Sequence, residues 1–486
     1  MSSAQKIIQA AAGNAAGEGE YIEDLFSTYL YQGSDGAKTI SNGINLSEEG
    51  GLVWTKNRSV SGNHVLFDTE RANGEDYYLI SNSSASELEA AAFDFVPASD
   101  GYSIDTGDGD INASDYNYAS WTFRKAPKFF DVVTYTGTGT AQNISHNLGS
   151  VPGCIIVKET GASSDWQVYH RGLDSTAPED YVIELNKTDD ATNSASAWND
   201  TAPTSTHFTV GTKNAVNGSG DSFVAYLFAH NDGDGEFGED ADQDIIKCGS
   251  YTGAGTVDLG FEPQWVLYKR TDSTGPWYLN DTMRGFPVDG NQAFLYANTS
   301  DAESSGGGLI NPTSTGFTHI NAGTYIYIAI RRGPMKTPED ATEVFAPLVR
   351  TGTASSTTVT GFGFPIDLVT SLFRSFSEDV WFDRLRGASK QLKTTTSAAE
   401  TSQSASINGF DLMNGYRVGI DNVTNMTNGN TTSNGYLNYA FRRAPGFFDV
   451  VAYEGTGYAS TDNGLASKSH NLGVEPEMII VKSRDD

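Results

Sequence analysis

The stretch FRKAPKFFDVVTYTGTG, from Phe123 to Gly139, returns near the other end of the chain as FRRAPGFFDVVAYEGTG, from Phe441 to Gly457. In both copies an alternating strand pattern passes through a short basic and proline joint into a second apolar strand pattern. Similarity at so long a distance indicates tandem domains rather than a short-period solenoid. The quoted stretch is therefore the last strand of one domain followed by the first strand of the next.

Five aligned strand starts give the register of the repeat. They are YLYQGSDG at Tyr29, VTYTGTGT at Val133, GSYTGAGT at Gly249, LVRTGTAS at Leu348 and VAYEGTGY at Val451. Their spacing of roughly one hundred residues is the size of one domain. Each start leads to a second apolar strand, and proline opens that strand in four copies, at Pro152, Pro263, Pro365 and Pro476. Proline has no N–H for a ladder, so its fixed place marks a strand boundary.

The repeat predicts an N-terminal arm, four complete units and an incomplete fifth unit. The predicted ranges are 1–20 for the arm, 21–128, 129–244, 245–346 and 347–448 for the units, and 449–486 for the fifth. The 52 glycines, 11% aromatic residues and 19% charged residues suit many short strands joined by turns. We predict an all-β fold of tandem two-sheet β-sandwiches of the jelly-roll kind, with a closed barrel as the alternative.

Composition excludes several function classes. The chain has 61 acidic and 31 basic residues and a formal net charge of −30, which argues against a nucleic-acid partner. It has no apolar stretch long enough to insert into a membrane. The two cysteines, Cys154 and Cys248, lie far apart in apolar runs, so we predict buried thiols rather than a disulfide framework or a zinc site.

Two sets of basic residues recur with the repeat. One closes the second strand, at Lys56, Lys158, Lys269, Arg374 and Lys482. The other follows an aromatic strand, at Arg71, Arg171, Arg284 and Arg386. These arginines are either a ligand-binding series or internal partners of carboxylates and aromatic rings. We favour internal partners, because a shared fold explains a residue that recurs in every domain.

Aromatic residues and histidines leave similar alternatives. Trp166, Trp277 and Trp381 would stack on sugars if exposed, but their strand-like surroundings favour core packing. His146 and His470 share the sequence SHNLG, which the third and fourth units lack. We therefore assign those histidines to turn geometry rather than to catalysis.

The sequence carries no P-loop, no HExxH, no G-x-S-x-G elbow and no spaced Cys/His cluster. We therefore predict no catalytic residue, no cofactor and no enzyme activity. The acidic run NDGDGEFGEDADQD, from Asn231 to Asp244, offers Asp232, Asp234 and Glu236 as weak calcium candidates. Because Phe237 stands where an EF-hand loop needs glycine, a solvated acidic linker is the favoured interpretation.

Three quoted segments resemble a known group of proteins. MSSAQKIIQAAAGNAAG, WTFRKAPKFFDVVTYTGTG and SHNLGSVPGCIIVK are similar to segments of tandem-repeat, tail-fibre-like structural proteins of marine tailed bacteriophages. The resemblance covers nearly the whole chain and brings no active site with it. It implies a virion component, a tail fibre or appendage with lectin-like domains. The fourth unit departs most, with IDLVTSLFRSF in place of IIVK.

On this interpretation the arm anchors the protein to other tail or virion proteins. Ser3 is a candidate cap for a short helical run that includes Ile7 and Ile8, and these are the predicted anchoring residues. Short joints would hold the sandwiches like beads on a stiff string, directed towards the host surface and a possible glycan there. The alternative is a carbohydrate-active depolymerase or a glycan-binding decoration protein.

Two further expectations concern assembly. We expect a homo-oligomer, with a trimer favoured, because three chains cover one another's sheet edges. The fifth unit holds only two or three strand patterns, which cannot bury a sandwich core. We therefore also expect the polypeptide to continue beyond Asp486.

Overall fold

The computed structural model describes residues 19–71, 77–89, 94–288, 290–307, 309–373, 379–420, 424–425, 435–455 and 467–485. Nearly all regular elements are β-strands, and every pairing between described strands is antiparallel. The predicted all-β fold is confirmed. Each complete unit has a six-stranded sheet and a smaller sheet, and none of the described sheets closes into a barrel.

The first unit sets the pattern. Its elements are α1 (Ile22–Leu25), β1 (Phe26–Gln32), β2 (Gly36–Ser41), α2 (Leu46–Glu49), β3 (Gly51–Asn57), β4 (His64–Asp68), β5 (Tyr77–Ile80), β6 (Leu88–Glu89), β7 (Val96–Ala98), β8 (Gly101–Thr106) and β9 (Asn117–Arg124). The large sheet has the order β1-β9-β3-β4-β5-β6 and the small sheet β2-β8-β7. First and last strands therefore pair, with Phe26 opposite Phe123.

The second unit repeats the large sheet and shortens the small one. Its elements are β10 (Phe130–Thr136), β11 (Gln142–Ser145), β12 (Cys154–Glu159), β13 (Gln167–His170), a 3₁₀ turn (Pro178–Asp180), β14 (Tyr181–Glu184), β15 (Thr192–Asn193), α3 (Ala195–Trp198), β16 (His207–Val210), α4 (Asn214–Asn217) and β17 (Ser222–Phe228). The orders are β10-β17-β12-β13-β14-β15 and β11-β16. Strand β12 begins two residues after Pro152, as the proline rule predicts.

The third unit restores the three-stranded small sheet. Its elements are β18 (Ile246–Thr252), β19 (Gly255–Asp258), β20 (Pro263–Arg270), β21 (Trp277–Asp281), β22 (Asn291–Tyr296), β23 (Ser304–Gly307), β24 (Ile310–Thr313), β25 (Gly316–His319) and β26 (Thr324–Arg331). The orders are β18-β26-β20-β21-β22-β23 and β19-β25-β24. Pro263 is the first residue of β20 and lies at a β-bulge, where a missing N–H is tolerated.

The fourth unit follows a 3₁₀ turn (Ala341–Glu343). Its strands are β27 (Phe345–Thr351), β28 (Thr357–Thr360), β29 (Leu368–Phe373), β30 (Asp379–Asp383), β31 (Lys390–Lys393), β32 (Thr401–Ser402), β33 (Ile407–Leu412), β34 (Gly415–Val418) and β35 (Gly435–Phe441). The orders are β27-β35-β29-β30-β31-β32 and β28-β34-β33. Strand β27 begins at Phe345, slightly before the unit boundary that the sequence suggested at residue 347.

The aligned glycine of each strand start has a steric cause in the first two units. A Cβ on Gly33 would lie 1.9 Å from the carbonyl oxygen of Ala113, and a Cβ on Gly137 would lie 2.1 Å from that of Gly218. Any larger residue would push the first strand away from the loop before the last strand. In these two units glycine therefore stands where the two ends of the unit meet.

The large sheet of the first unit is apolar on both faces. Val53, Val65 and Phe67 point towards the small sheet and form a sandwich core with Tyr102 and Ile104. The alternate residues of the same strands, Leu52, Trp54 and Leu66, belong to a second and larger core. An antiparallel sheet of a lone sandwich usually exposes its outer face to water. This one is instead buried on both sides.

The second core joins the first three units. The ring of Phe123 in the first unit lies 5.4 Å from Phe130 and 5.6 Å from Phe228 of the second unit, centroid to centroid. It also lies 5.6 Å from the indole of Trp265 in the third unit. The beads-on-a-string expectation is therefore wrong for these units. Their outer faces carry too many large apolar side chains to remain in water.

The fourth unit has its own sandwich core and is attached through ion pairs. Buried Arg443 donates to both carboxylate oxygens of Glu262 in the third unit, at 2.8 and 2.6 Å. Arg332 of the third unit donates to Asp367 at 2.9 Å. Arg58 of the first unit reaches Asp411 at 3.3 Å. Charged contacts thus dominate the attachment of the fourth unit, although its Met413 also packs against the apolar core that joins the other three.

Replacement of Phe123 with alanine should destabilise all three joined units together. We expect a loss of about 3–5 kcal/mol, because the ring packs on residues of each unit and a cavity would remain. Calorimetry should show one transition for the three units moving to lower temperature. Phe441→Ala is the matched control, since Phe441 occupies the same register in the fourth unit and is only half-buried. A transition of the first unit alone would contradict a shared core.

Candidate functional site

One loop of each unit forms the contacts between units. It follows the fifth strand of the large sheet and spans residues 81–87, 185–191, 297–303 and 394–400 in the four units. We call it the docking loop. In the first three units a neighbouring unit lies against it with the same hydrogen bonds each time.

Backbone bonds fix the order of the units. The carbonyl oxygen of Ser84 accepts the N–H of Ser164 from the second unit at 2.8 Å. The carbonyl of Thr188 accepts from Gly275 of the third unit at 2.8 Å, and that of Ser300 accepts from Gly62 of the first unit at 2.8 Å. The second unit thus docks on the first, the third on the second, and the first on the third. The contacts close a three-unit ring within one chain.

At each interface of the ring a second hydrogen bond between backbone groups runs from the docking loop to the neighbouring unit. The donor is the N–H of the last residue of the docking loop, and the acceptor is a carbonyl oxygen just after β12, β20 or β3 of the neighbouring unit. The three hydrogen bonds run from Glu87 to Thr160 at 2.9 Å, from Ala191 to Thr271 at 3.0 Å and from Glu303 to Arg58 at 3.1 Å. Side chains play no part in these bonds. The interface geometry is therefore retained even where Ala191 replaces glutamate.

A lysine reinforces each interface. The ammonium groups of Lys158, Lys269 and Lys56 donate to the carbonyl oxygens of Ser84 at 3.4 Å, Thr188 at 3.2 Å and Ser300 at 3.3 Å. All three side chains are buried, and burial lowers the pKa of each to about 8. Three of the basic residues that recur at the end of the second strand are therefore interface residues.

The fourth unit departs from this lysine pattern. Strand pairing places Leu372 where the other units have lysine, because Leu372 lies opposite Leu437 as Lys56 lies opposite Ala119. Arg374, which the sequence placed in the series, is two residues beyond that position and outside the described residues. The alignment of Arg374 with the lysines was therefore wrong.

At two interfaces a buried carboxylate of one unit accepts a hydrogen bond from the neighbouring unit. The hydroxyl of Tyr226 in the second unit donates to Asp68 of the first at 2.7 Å. The indole N–H of Trp121 in the first unit donates to Asp281 of the third at 3.0 Å. An arginine of the same unit holds each carboxylate, Arg71 at 2.6 Å and Arg284 at 2.5 Å. The arginine supplies the positive charge that lets a carboxylate remain buried.

The third interface has an uncharged histidine in place of the carboxylate. His170 stands at the aspartate position, and its Nε2 lies 3.0 Å from the carbonyl oxygen of Tyr327. Its Nδ1 accepts the N–H of Gly172 at 3.0 Å, so Nε2 carries the proton and donates. Burial lowers the pKa of His170 to about 3, which keeps the ring uncharged. Leu173 and Ala191 replace the arginine and glutamate of the other interfaces. At this interface uncharged residues therefore replace all three of the aspartate, the arginine and the glutamate.

Sequence comparison assigns the chain to a family. Residues 22–334 and 340–486 match the family described as a domain of unknown function, DUF7483. The chain belongs to that family. No curated protein matches it. The match includes all three units of the ring and the fourth unit.

The recurring arginines of the DUF7483 chain are mostly internal partners, as favoured from sequence. Arg71 and Arg284 hold interface carboxylates, and Arg386 pairs with Asp383 at 2.5 Å in the fourth unit. Arg171 does not belong to this series, because it is exposed and follows His170 directly. The register shared by the other three is Asp-x-x-Arg. That spacing is visible in DTER, DTMR and DRLR and would have separated Arg171 from the rest.

The tryptophans of this DUF7483 chain follow the core-packing prediction in two cases. Trp166 and Trp277 are buried, and their indole N–H groups donate to the carbonyls of Ile80 at 3.0 Å and Glu184 at 2.9 Å. Each bond crosses to a neighbouring unit of the ring. Trp381 occupies a different position and is only half-buried. The two buried rings are closed to sugars.

The acidic run of the DUF7483 chain is an ordered joint. Asp232 is exposed, Asp234 accepts the N–H of Asp232 at 2.9 Å, and Glu236 pairs with Lys128 at 2.7 Å. Phe237 is buried, so the expectation of a solvated linker holds only for part of the run. The three calcium candidates do not converge, and across the described ranges no cluster of three or more His, Cys, Asp or Glu is arranged for a metal ion.

The structure gives the cysteines and histidines that the sequence singled out a structural role. Cys154 and Cys248 are free and buried, as predicted. His146 and His470 each accept the N–H of the residue two positions on, at 3.3 Å in both turns, which confirms their turn role. Ser3, Ile7 and Ile8 lie outside the described residues. Within the described part of the chain no helix is long and apolar enough to cross a membrane.

Replacement of Tyr226 with phenylalanine tests the carboxylate contact. The bond to buried Asp68 involves a charged acceptor, so we expect a loss of about 1.5–3 kcal/mol in the free energy of unfolding. Tyr135→Phe is the control, because its hydroxyl donates to a backbone carbonyl of its own unit at 2.6 Å. Chemical denaturation measures both. Equal losses for the two variants would argue against a special role of the interface.

The buried lysines predict a rise of stability with pH. Folding lowers the pKa of Lys56, Lys158 and Lys269 from 10.5 to about 8, so the unfolded chain binds more protons between these values. The cost of burying the charged form is complete below pH 8 and disappears as pH rises through that window. Denaturant midpoints between pH 7.5 and 9.5 should increase. A triple Lys→Leu variant, which copies Leu372, should lose most of this increase, and an unchanged slope would refute the assignment.

Proposed function

We propose that the protein is a non-catalytic structural component of a bacteriophage virion, of the tail-fibre or appendage kind. The observation that carries the proposal is the three-unit ring. One chain builds, from repeated units and repeated contacts, the kind of closed threefold body that fibres commonly build from three chains. The resemblance of the repeated segments to tail-fibre-like proteins points in the same direction.

The use of the recurring residues supports a structural role. Lys158 and its counterparts bind docking loops, Asp68 and Asp281 bind aromatic donors of neighbouring units, and Trp166 and Trp277 bind backbone carbonyls. These residues each recur in two or three of the units. Assembly accounts for them, so the recurrence itself gives no reason to assign catalysis.

The ring is also suited to a rigid component of the virion rather than to one that changes conformation. Each interface combines two backbone bonds with a buried lysine, and the three outer sheet faces share one apolar core. Such a body resists relative motion of its units. We propose that the N-terminal arm links it to other virion proteins and that host-surface glycan, where bound, is met on another part of the molecule.

A homotrimer stays a separate proposal. Edge protection was the reason to expect it, and the ring contacts of the first three units are made within one chain, without a second copy. Light scattering of the intact chain measures the oligomeric state directly. A trimer would indicate a contact surface outside the ring interfaces.

Imaging of particles tests the virion proposal. Antibodies raised against the ring should label tail appendages of intact particles of the phage that encodes the chain, at a fixed distance from the capsid. Antibodies against the major capsid protein provide the positive control for particle integrity. Label that is found only in lysate, with particles left bare, would overturn the proposal.

An assay for polysaccharide cleavage separates the structural role from the depolymerase alternative. Incubation of the protein with surface polysaccharide of the host should release no reducing ends above those of a heat-denatured sample. Release above that background would overturn the non-catalytic assignment. Binding without release would indicate a glycan-binding decoration protein.

A further inference from the structure

The fourth unit carries the sheet face that the other units use to build the ring. Phe441 corresponds in register to Phe123, Phe228 and Ile330, because each lies in the last strand of its unit opposite the first residue of the first strand. The three ring residues are buried, whereas Phe441 is half-buried. The same contrast holds for Phe345, whose counterparts Phe26, Phe130 and Ile246 are buried.

A large aromatic residue enlarges this face. Trp381 occupies the position of Leu66, Val168 and Leu279, which are all buried in the shared core. In the fourth unit that position is half-buried, although its side chain is the largest of the four. Leu372 and Val349 of the same sheet are 36% and 65% exposed. The face is therefore apolar, in ring register and incompletely covered.

The segment from the fifth unit lies on the docking loop of the fourth. Lys482 donates to the carbonyl oxygen of Ser397 at 2.9 Å, as Lys158 does to Ser84. The N–H of Glu400 donates to the carbonyl oxygen of Arg484 at 2.8 Å, as Glu87 does to Thr160. The lysine and the backbone bond thus reappear at the same loop positions as in the ring.

A charge contact of the ring reappears as well. Arg484 donates from Nε and Nη2 to the two carboxylate oxygens of Glu400, at 3.1 Å each. In the ring Arg58 makes the same two bonds to Glu303, at 2.9 and 2.7 Å. Both glutamates also bind an arginine of their own unit, Arg386 and Arg284. The fifth segment therefore contacts the fourth unit as the first unit contacts the third.

The residues next to Lys482 have the ring pattern but remain open to solvent. Counted from the lysine, Met478 and Ile480 correspond to Leu52 and Trp54 of the first unit. Leu52 and Trp54 are buried in the shared core, whereas Met478 and Ile480 are 77% and 61% exposed. In the ring, the counterparts of these side chains pack against the counterparts of the sheet face of the fourth unit.

We propose that the fourth unit is the first member of a second ring, whose exposed sheet face takes sandwich units of this same repeat. Residues 467–485 belong to the member that docks on it. The inference rests on the interfaces and is independent of the virion proposal. Fourth units of three separate copies would make a poorer ring, because Leu372 would meet the docking loop where a lysine donor is needed.

Hydrogen exchange tests the docking. We expect Lys482→Leu combined with Arg484→Ser to speed exchange of the Glu400 amide by about tenfold or more, since its acceptor segment would detach. The equivalent ring amides, Glu87 and Glu303, should keep their protection. Lys468→Leu is the matched control, because Lys468 lies in the same segment and contacts Tyr453 rather than the docking loop. Unchanged exchange at Glu400 in the double variant would overturn the proposal.

Light scattering tests the occupant of the face. With the 486-residue chain we expect no defined dimer or trimer that depends on Trp381, and we expect binding of an apolar dye that Trp381→Ser reduces. A defined oligomer that Trp381→Ser dissociates would mean that a second copy of this chain covers the face, which contradicts the proposal. Absence of dye binding would show that the face is already closed and would contradict it too.

Discussion

A β-sheet with large apolar side chains on both faces has to be covered on both faces, and this constraint determines the arrangement of the chain. The small sheet of each unit covers one face. The other face, with Leu52, Trp54 and Phe123 in the first unit, is not covered by a second sheet of its own unit. Three such faces placed together exclude water from one another. Because the hydrophobic effect has no direction, this accounts for association but not for the order of the units.

Polar contacts determine that order. In the ring, each docking loop presents one carbonyl oxygen to a backbone N–H and a lysine of the correct neighbour. A unit in the wrong orientation would remove one of the two carbonyl acceptors of a buried lysine, whose ammonium group would keep only the carbonyl of the following residue. The aspartates act in the same way, since Asp68 and Asp281 each need a donor from one particular neighbour. Buried charge thus contributes specificity here more than stability, and the apolar core supplies the attraction.

The sequence allowed much of the unit to be predicted and little of the ring. Glycine, proline and strand alternation are local signals, so the strand starts and the all-β class followed from them. The continuous apolar runs of β3 and β12 were a signal for double-sided burial, but such a run does not say what covers the second face. The partners of Asp68 and Asp281 lie more than a hundred residues away in another unit, and only a three-dimensional arrangement brings them together. Asp-x-x-Arg was the one local sign of these sites.

A single chain can vary its interfaces one at a time, which three identical chains cannot do. In the ring the interface around His170 has exchanged aspartate, arginine and glutamate for histidine, leucine and alanine, while the other two keep the charged set. In a homotrimer each substitution would appear three times, so a charge and its partner would have to change in all interfaces at once. Linkage also raises the effective concentration of each unit for its neighbour. An interface with fewer charged contacts is therefore tolerated, and the asymmetric ring leaves positions such as Arg58 and Glu262 free to diverge and to hold a fourth unit on one side only.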